Sequence, residues 1–300
     1  MAVKAWQDRL VSGLFLRTAR WLARRDLAAV HRFGERLGAL LNAVPNEARA
    51  ITERNLSWVN PQLEQPISTR EALIELGRTA AEFGPMWQWE AARMEPLIVD
   101  IQGQAHMDVA LAAGKGVLLL APHLGNWELL GWYLGRHYPT TSMYEPPYFS
   151  GIDGFMRAGR ERSGARLVPT DVTGVRALLR ALKRNEIAAI LPDQAPDSGY
   201  VFADFFGRPA RTMTLAHKLV QRSGATTIMA FMERLPDAQG YRLHYLPGPD
   251  LTHGKPHVAA RALNEAVERC VRLAPSQYQW SYKRWRKPPA DVPDLYASRA

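Results

Sequence analysis

GVLLLAPHLGNWE, residues 116–128, joins an apolar run to a histidine and, five positions on, a carboxylate. The run from Gly116 to Ala121 reads as a buried strand, and Pro122 stops it because proline cannot donate to a sheet ladder. His123 then falls at the strand's end, where open α/β sheets place their reactive groups. Glu128 offers the imidazole a carboxylate partner. Such a partner fixes the tautomer and stabilises the protonated ring, so the histidine can serve as general base toward a hydroxyl. The spacing alone has an ordinary reading too, a strand-end histidine hydrogen-bonded to its own loop. It is not the HExxH zinc pattern, and no metal or other cofactor is expected.

The rest of the chain supplies the frame for that strand. Short apolar segments at Ile98–Ile101, Thr141–Tyr144, Arg166–Pro169, Ile187–Leu191, Thr226–Glu233 and Tyr241–Tyr245 alternate with helical patterns around His106–Ala113, Leu129–Arg136, Gly151–Ser163, Thr173–Lys183, Thr212–Gln221 and His257–Leu273. This alternation predicts an α/β fold, a central sheet covered by helices on both faces. Helical spacing runs from residue 3 to about 44 and resumes over 46–60, and Ser68-Thr69-Arg70-Glu71 reads as a capping box opening a helix through Trp89. No linker or repeat divides the chain. The simplest organisation is a helical N-terminal arm, residues 1–45, followed by one catalytic domain, residues 46–300.

Composition narrows the function classes. Three hundred residues with 47% hydrophobic content bury a large core. The single cysteine, Cys270, excludes an internal disulfide and sits in a helical pattern where it packs as a small apolar residue. Arg9, Arg17 and Arg20 stand where a signal peptide would need an apolar core, and no uncharged segment reaches the ~20 residues that span a bilayer. A net charge of +9 points to an acidic partner: an anionic membrane, an acidic protein or nucleic acid. On a helical wheel, Leu10, Val11, Leu14, Phe15, Ala19, Trp21 and Leu22 fill one face and Arg9, Arg17, Arg20 and Arg24 a narrow arc beside it. That is the pattern of an interfacial membrane helix, though an amphipathic helix on its own core looks similar.

Four further segments accompany the strand-end histidine. In FMRAGRERSGARLVP (155–169), Arg157 and Arg160 share a helix face while Arg162 is rotated away; paired guanidiniums clamp phosphate or carboxylate, or simply face solvent. IAAILPDQAPDSG (187–199) carries Asp193 and Gln194 out of a strand, where an acid positions an arginine or substrate hydroxyl, or caps a turn. ADFFGRPARTMTLAHKL (203–219) sets Phe205 and Phe206 before a helix whose N-terminus suits an anion. APSQYQWSYKRWRKPPADVP (274–293) interleaves Tyr278, Trp280, Tyr282 and Trp285 with Lys283, Arg284, Arg286 and Lys287, a composition suited to headgroups, an acidic docking partner or single-stranded nucleic acid.

Taken together, ERNLSWVNPQL (53–63), APHLGNWE (121–128), GRERSG (159–164), LPDQ (191–194), FFGRPARTMT (205–214) and APSQYQWSYKRWRKPP (274–289) resemble the bacterial lipid A late acyltransferases, the lauroyl/myristoyl group within the lysophospholipid acyltransferase superfamily. The segments follow the family's order from about residue 50 to 290. The resemblance implies a glycerolipid acyltransferase-like mixed sheet flanked by helices, and transfer of an acyl chain from acyl carrier protein to a lipid A precursor in the inner leaflet. It implies an enzyme on the cytoplasmic face of the bacterial inner membrane. Many members carry a longer N-terminal apolar segment; here it is short and broken by arginines, which implies peripheral or monotopic attachment.

By that resemblance His123 deprotonates the acceptor, Glu128 holds and polarises His123, and no covalent acyl-enzyme forms. Arg160, less so Arg157 or Arg162, and backbone N–H groups near Gly125 and Asn126 would meet the oxyanion. Asp193 would support the arginines or the acceptor, with Gln194 beside it. Rival readings keep the chemistry with another acceptor (a glycerophospholipid, glycolipid or aminolipid) or with acyl-CoA as donor. A silent membrane scaffold of the same fold, or a basic nucleic-acid-binding protein, are more distant alternatives; the scattered arginines and lack of a binding module argue against nucleic acid.

Overall fold

A computed structural model describes residues 5–252 and 254–297. Its first helices are α1 (Ala5–Ala23), α2 (Leu27–Ala43), α3 (Glu47–Val59) and α4 (Thr69–Met86). The helix expected from residue 3 to 44 is therefore two. Its opening residues 3 and 4 lie outside those described, and Asp26 ends the run by capping α2, its side chain accepting from the Ala29 N–H at 2.7 Å. The capping box is present: Ser68 accepts from the Glu71 N–H and Glu71 accepts from the Ser68 N–H.

After α5 (Ala91–Met94) the chain alternates. β1 (Ile98–Gln102), α6 (Gln104–Ala112), β2 (Val117–Leu120), α7 (Trp127–His137), β3 (Thr140–Tyr144), α8 (Asp153–Glu161), β4 (Arg166–Pro169), α9 (Val172–Lys183) and β5 (Ile187–Ile190) follow one another. Then come a hairpin, β6 (Tyr200–Phe205) and β7 (Arg208–Met213), α10 (Leu215–Ser223), β8 (Thr226–Arg234), β9 (Tyr241–Pro247) and α11 (Pro256–Leu273). Seven strands form one sheet in the order β1-β9-β8-β2-β5-β3-β4. β8 and β9 pair antiparallel and every other neighbour pair is parallel, so the sheet is mixed.

β2 and β5 are buried at every residue, as strands sealed on both faces must be. Alternation then divides the core. Leu118, Leu120, Ala188 and Ile190 face α9, α10, α11 and the C-terminal segment, while Val117, Leu119, Ile187 and Ala189 face α2, α4, α6 and α7. The N-terminal helices are part of this packing. Gly38 of α2 approaches α4 so closely that a Cβ there would lie 2.3 Å from the Leu73 carbonyl oxygen.

The hairpin was not expected. The sequence sets Phe205 and Phe206 before a helix opening near Thr212, but β6 and β7 join through Phe206 and Gly207, both at positive φ (46° and 66°), and the helix starts only at Leu215. A two-residue turn with left-handed dihedrals matches the twist of its flanking strands. Phenylalanine takes that conformation reluctantly, and its neighbours enforce it: the Phe206 N–H donates to Glu268, and its carbonyl accepts from Trp58 and Gln62.

Candidate active site

Parallel pairing of β2 and β5 sets Leu120 opposite Ile190, and three residues beyond each stand His123 and Asp193. Both oxygens of Asp193 serve the histidine. Oδ1 lies 2.9 Å from His123 Nδ1, and Oδ2 accepts the His123 backbone N–H at 2.9 Å. Burial works to raise the Asp193 carboxyl, but the charge and hydrogen bonds of His123, with Arg284 behind, outweigh it and hold the carboxylate below its ordinary range. A carboxylate on Nδ1 favours the tautomer whose Nε2 carries the lone pair. That nitrogen is 3.3 Å from the Gln194 side-chain amide, which also reaches Gln279 Oε1 at 3.1 Å. Trp127 meets the imidazole edge-on, ring centres 5.2 Å apart.

The two acids pair differently from the arrangement expected of them. Glu128 makes no hydrogen bond to His123. Its carboxylate is gripped by Arg160, through Nε at 2.9 Å and through Nη2, and by the Trp87 indole N–H at 2.7 Å. Burial raises Glu128, yet Arg160 above all, then Trp87 and the nearby His123, bring it below the usual range. The reason is topological: Glu128 sits on the first turn of α7 facing α8 and α4, whereas Asp193 exits the strand paired with β2.

The remaining residues separate. Asn126 caps α7, accepting from the Leu129 N–H at 2.8 Å and donating to Glu82 at 2.9 Å. The Gly125 and Asn126 N–H groups, expected as oxyanion donors, are spent on the carbonyls of Gln277 and Met232. Arg157 pairs with Glu161 in solvent. Arg162 binds the carbonyls of Gln88 and Trp89 and the Glu90 carboxylate, and lines a separate cavity of about 250 Å³. Of the three arginines, Arg160 alone lines the cavity that holds His123.

Much of the aromatic-basic tail is core. Tyr278, Trp280, Arg284 and Trp285 are buried, and Trp285 packs on Phe205, 5.6 Å between ring centres. Phe205 and Phe206 are likewise core. The tail is a strap over the sheet: the Gln279 N–H donates to the His123 carbonyl at 3.0 Å. Cys270 is buried among the core residues, and burial pushes its thiol up to about 12.

Several site residues had no local signal in the sequence. Trp87 and Gln279 join the site from 41 residues before Glu128 and 85 after Gln194. Beneath Asn126 lies a buried network in which Arg234 clamps Glu82 at 2.6 Å with two nitrogens and Glu75 with a third, while His31 and the Tyr241 hydroxyl reach Glu82 at 2.7 and 2.8 Å.

His123, Glu128, Arg160 and Gln194 open onto one cavity of about 390 Å³ whose other walls include Met143, Leu167, Ile190, Met213 and Leu215. A histidine, a guanidinium and a partly apolar chamber in one space are suited to a hydroxyl beside an apolar substituent. The family model for bacterial lipid A biosynthesis acyltransferases matches residues 12–287, and the chain belongs to that family. It is thus an O-acyltransferase. Similar proteins include the lipid A biosynthesis lauroyltransferase of Escherichia coli K12, 28% identical over 276 residues (89% of this chain, 88% of the relative). The myristoyltransferase of the same organism is 27% identical, over 90% of this chain and 84% of its own length. A phosphatidylinositol mannoside acyltransferase of Mycolicibacterium smegmatis is 24% identical, over 94% and 88%.

Proposed function

We propose that the protein moves a fatty acyl chain from an acyl carrier protein thioester to a hydroxyl of a lipid A precursor, with His123 as general base. The observation that carries this reading is the orientation of His123, Nδ1 held by Asp193 and Nε2 turned to Gln194 in the cavity. Nε2 takes the proton of the acceptor hydroxyl as its oxygen attacks the thioester carbonyl carbon. The tetrahedral oxyanion is met by Arg160, whose Nη1 is not used by Glu128. The carbon–sulfur bond then breaks, and the thiolate takes the proton back from His123. The base acts directly on a bound hydroxyl, so the scheme contains no acyl-enzyme. Glu128 and Trp87 act through Arg160 by fixing its position.

The reading also places the enzyme on a membrane. On α1, Trp6, Leu10 and Leu14 are mostly exposed, while Trp21, partly exposed, packs edge-on against Phe33; Ala19 and Leu22 are buried. The expected apolar face is thus split, one part in the core and one part free. Arg9, Arg17, Arg20 and Arg24 are exposed around it, which suits an anionic leaflet and residues 1–45 as a membrane-facing arm on the unit 46–300. Among the described residues no helix is long and apolar enough to cross a bilayer. The cytoplasmic face of the inner membrane is where acyl carrier protein, an acidic donor, meets this basic chain.

A glycolipid acceptor is the second reading, favoured by the similarity to phosphatidylinositol mannoside acyltransferases. One assay separates the two. Wild type and His123→Ala are given each acceptor with acyl carrier protein and acyl-CoA thioesters, and products are weighed by mass spectrometry. Gain of one acyl mass on the lipid A precursor, absent with His123→Ala, is the expected result. Gain only on the mannoside would transfer the assignment to the second reading.

A further inference from the structure

α7 contains two interior glycines, and their surroundings differ. A Cβ on Gly135 would strike Ser163 Oγ at 2.3 Å and Ala165, so close packing of α7 on the chain after α8 requires glycine there. Gly34, Gly38 and Gly77 meet neighbouring backbone in the same way. A Cβ on Gly131 would meet nothing within 4 Å. Its φ is not in the left-handed region either, so neither packing nor backbone conformation calls for glycine. In a helix interior glycine is less stable than alanine because it surrenders more chain entropy on folding. What Gly131 does have is the cavity: it forms part of the same wall as Trp127 and Glu128, with Met143 and Leu167 among the other lining residues.

Gly131 follows Glu128 by three positions, on the same helix face and about 4.5 Å farther along the axis. His123 precedes the helix, so a chain whose carbonyl sits at the imidazole passes Glu128 before it reaches Gly131. We propose that Gly131 keeps open the part of the cavity beyond Glu128 for the acyl chain, and so sets the longest chain the enzyme transfers. This rests on the acyl-transfer reading for the identity of the occupant. A side chain at 131 would project into that space and displace the chain's terminal methylenes. Because each methylene in an apolar pocket is worth roughly tenfold or more in discrimination, even a methyl group should register.

The test compares wild type with Gly131→Ala and Gly131→Leu on a graded series of saturated acyl carrier protein thioesters. Direct binding of the matching free fatty acids is measured by calorimetry. The expected result is a progressive shift to shorter chains: the ratio of longest to shorter transferred chain falls roughly tenfold in Gly131→Ala and further in Gly131→Leu, while short chains still transfer. Gly131→Ala should also melt no lower than wild type, since its methyl enters empty space on a helix. An unchanged chain-length profile, or an equal loss for every length in a folded variant, would overturn the proposal. Should wild type transfer nothing, the fatty-acid series still decides. A shift to shorter ligands in Gly131→Leu would uphold the slot while the reaction failed, and identical binding would refute the slot.

Discussion

The Asp193 carboxylate reaches His123 twice, at ring Nδ1 and at backbone N–H, each at 2.9 Å, from the strand that pairs with the histidine's own. One side chain therefore fixes both where the imidazole stands and which nitrogen faces the cavity. Two hydrogen bonds to one carboxylate hold the ring more firmly than a single contact from a flexible loop, and the parallel ladder of β2 and β5 supplies the rigidity beneath.

Asp193→Asn should retain the fold and lose the chemistry. Asparagine has one acceptor oxygen where two are in use, and its NH₂ confronts a donor at the other position. The proton accumulated on the ring also loses its counter-charge. Turnover should fall by roughly 10²–10⁴, with KM for the thioester changed only a few-fold. Turnover within a few-fold of wild type would return the supporting role to another acid.

Glu128→Gln should behave differently. It removes the charge opposite Arg160, whose side chain is only 27% exposed. Breaking such a pair leaves an uncompensated cation and costs about 3 kcal/mol, the low end for buried pairs. The variant should show a lower melting temperature together with reduced turnover, and Arg160→Met in the same background should recover stability without recovering rate. Failure of the double variant to regain stability would show that the loss does not come from the stranded guanidinium.

Glu82 gives the clearest pH dependence. Burial raises its carboxyl, but Arg234 and His31 overcome that and lower it from 4.5 to about 2. A carboxyl with a depressed folded-state value stabilises fully above its unfolded value and loses that contribution as pH falls through the folded one. The linkage is on the order of 3 kcal/mol, present above pH 4.5 and gone near pH 2. Denaturant titrations of wild type and Glu82→Gln should therefore differ most near neutral pH and converge as the pH falls toward 2. A gap that stays constant through that range would contradict the assignment.

How much of this the sequence discloses depends on the range of the interaction. β2, β5 and the capped helices follow from local apolar runs and caps, and the strand-end position of His123 follows with them. The partners of the two acids do not, because they depend on which strands become neighbours. Glu128 is close to His123 along the chain, whereas Asp193 is close only once β5 pairs with β2. The tail misleads for a related reason. Its alternation of aromatics and cations has the composition of an interface, yet Trp285 is covered by Phe205 and the buried Arg284 donates to the Arg211 carbonyl, Thr212 and Asn264, all long-range partners. Phe206 at a left-handed position hides its turn because residue preference there opposes the outcome that tertiary contacts impose.

The same division between core and free surface makes α1 testable without disturbing the fold. Deleting the first 25 residues would also remove Ala19 and Leu22, which are buried against the domain, and so would confound membrane binding with stability. Substituting the outward residues avoids this: Trp6→Ser, Leu10→Ser and Leu14→Ser together should leave the melting temperature nearly unchanged, since exposed positions contribute within about 0.5 kcal/mol each. Partitioning onto phosphatidylglycerol vesicles should drop by roughly tenfold or more, because these side chains supply the apolar area that enters the interface. Raising salt should weaken the residual binding of the triple variant more than that of wild type, as only the arginine contribution then remains. Vesicle partitioning equal to wild type at every salt concentration would remove α1 from the membrane interface and leave it as a packing helix.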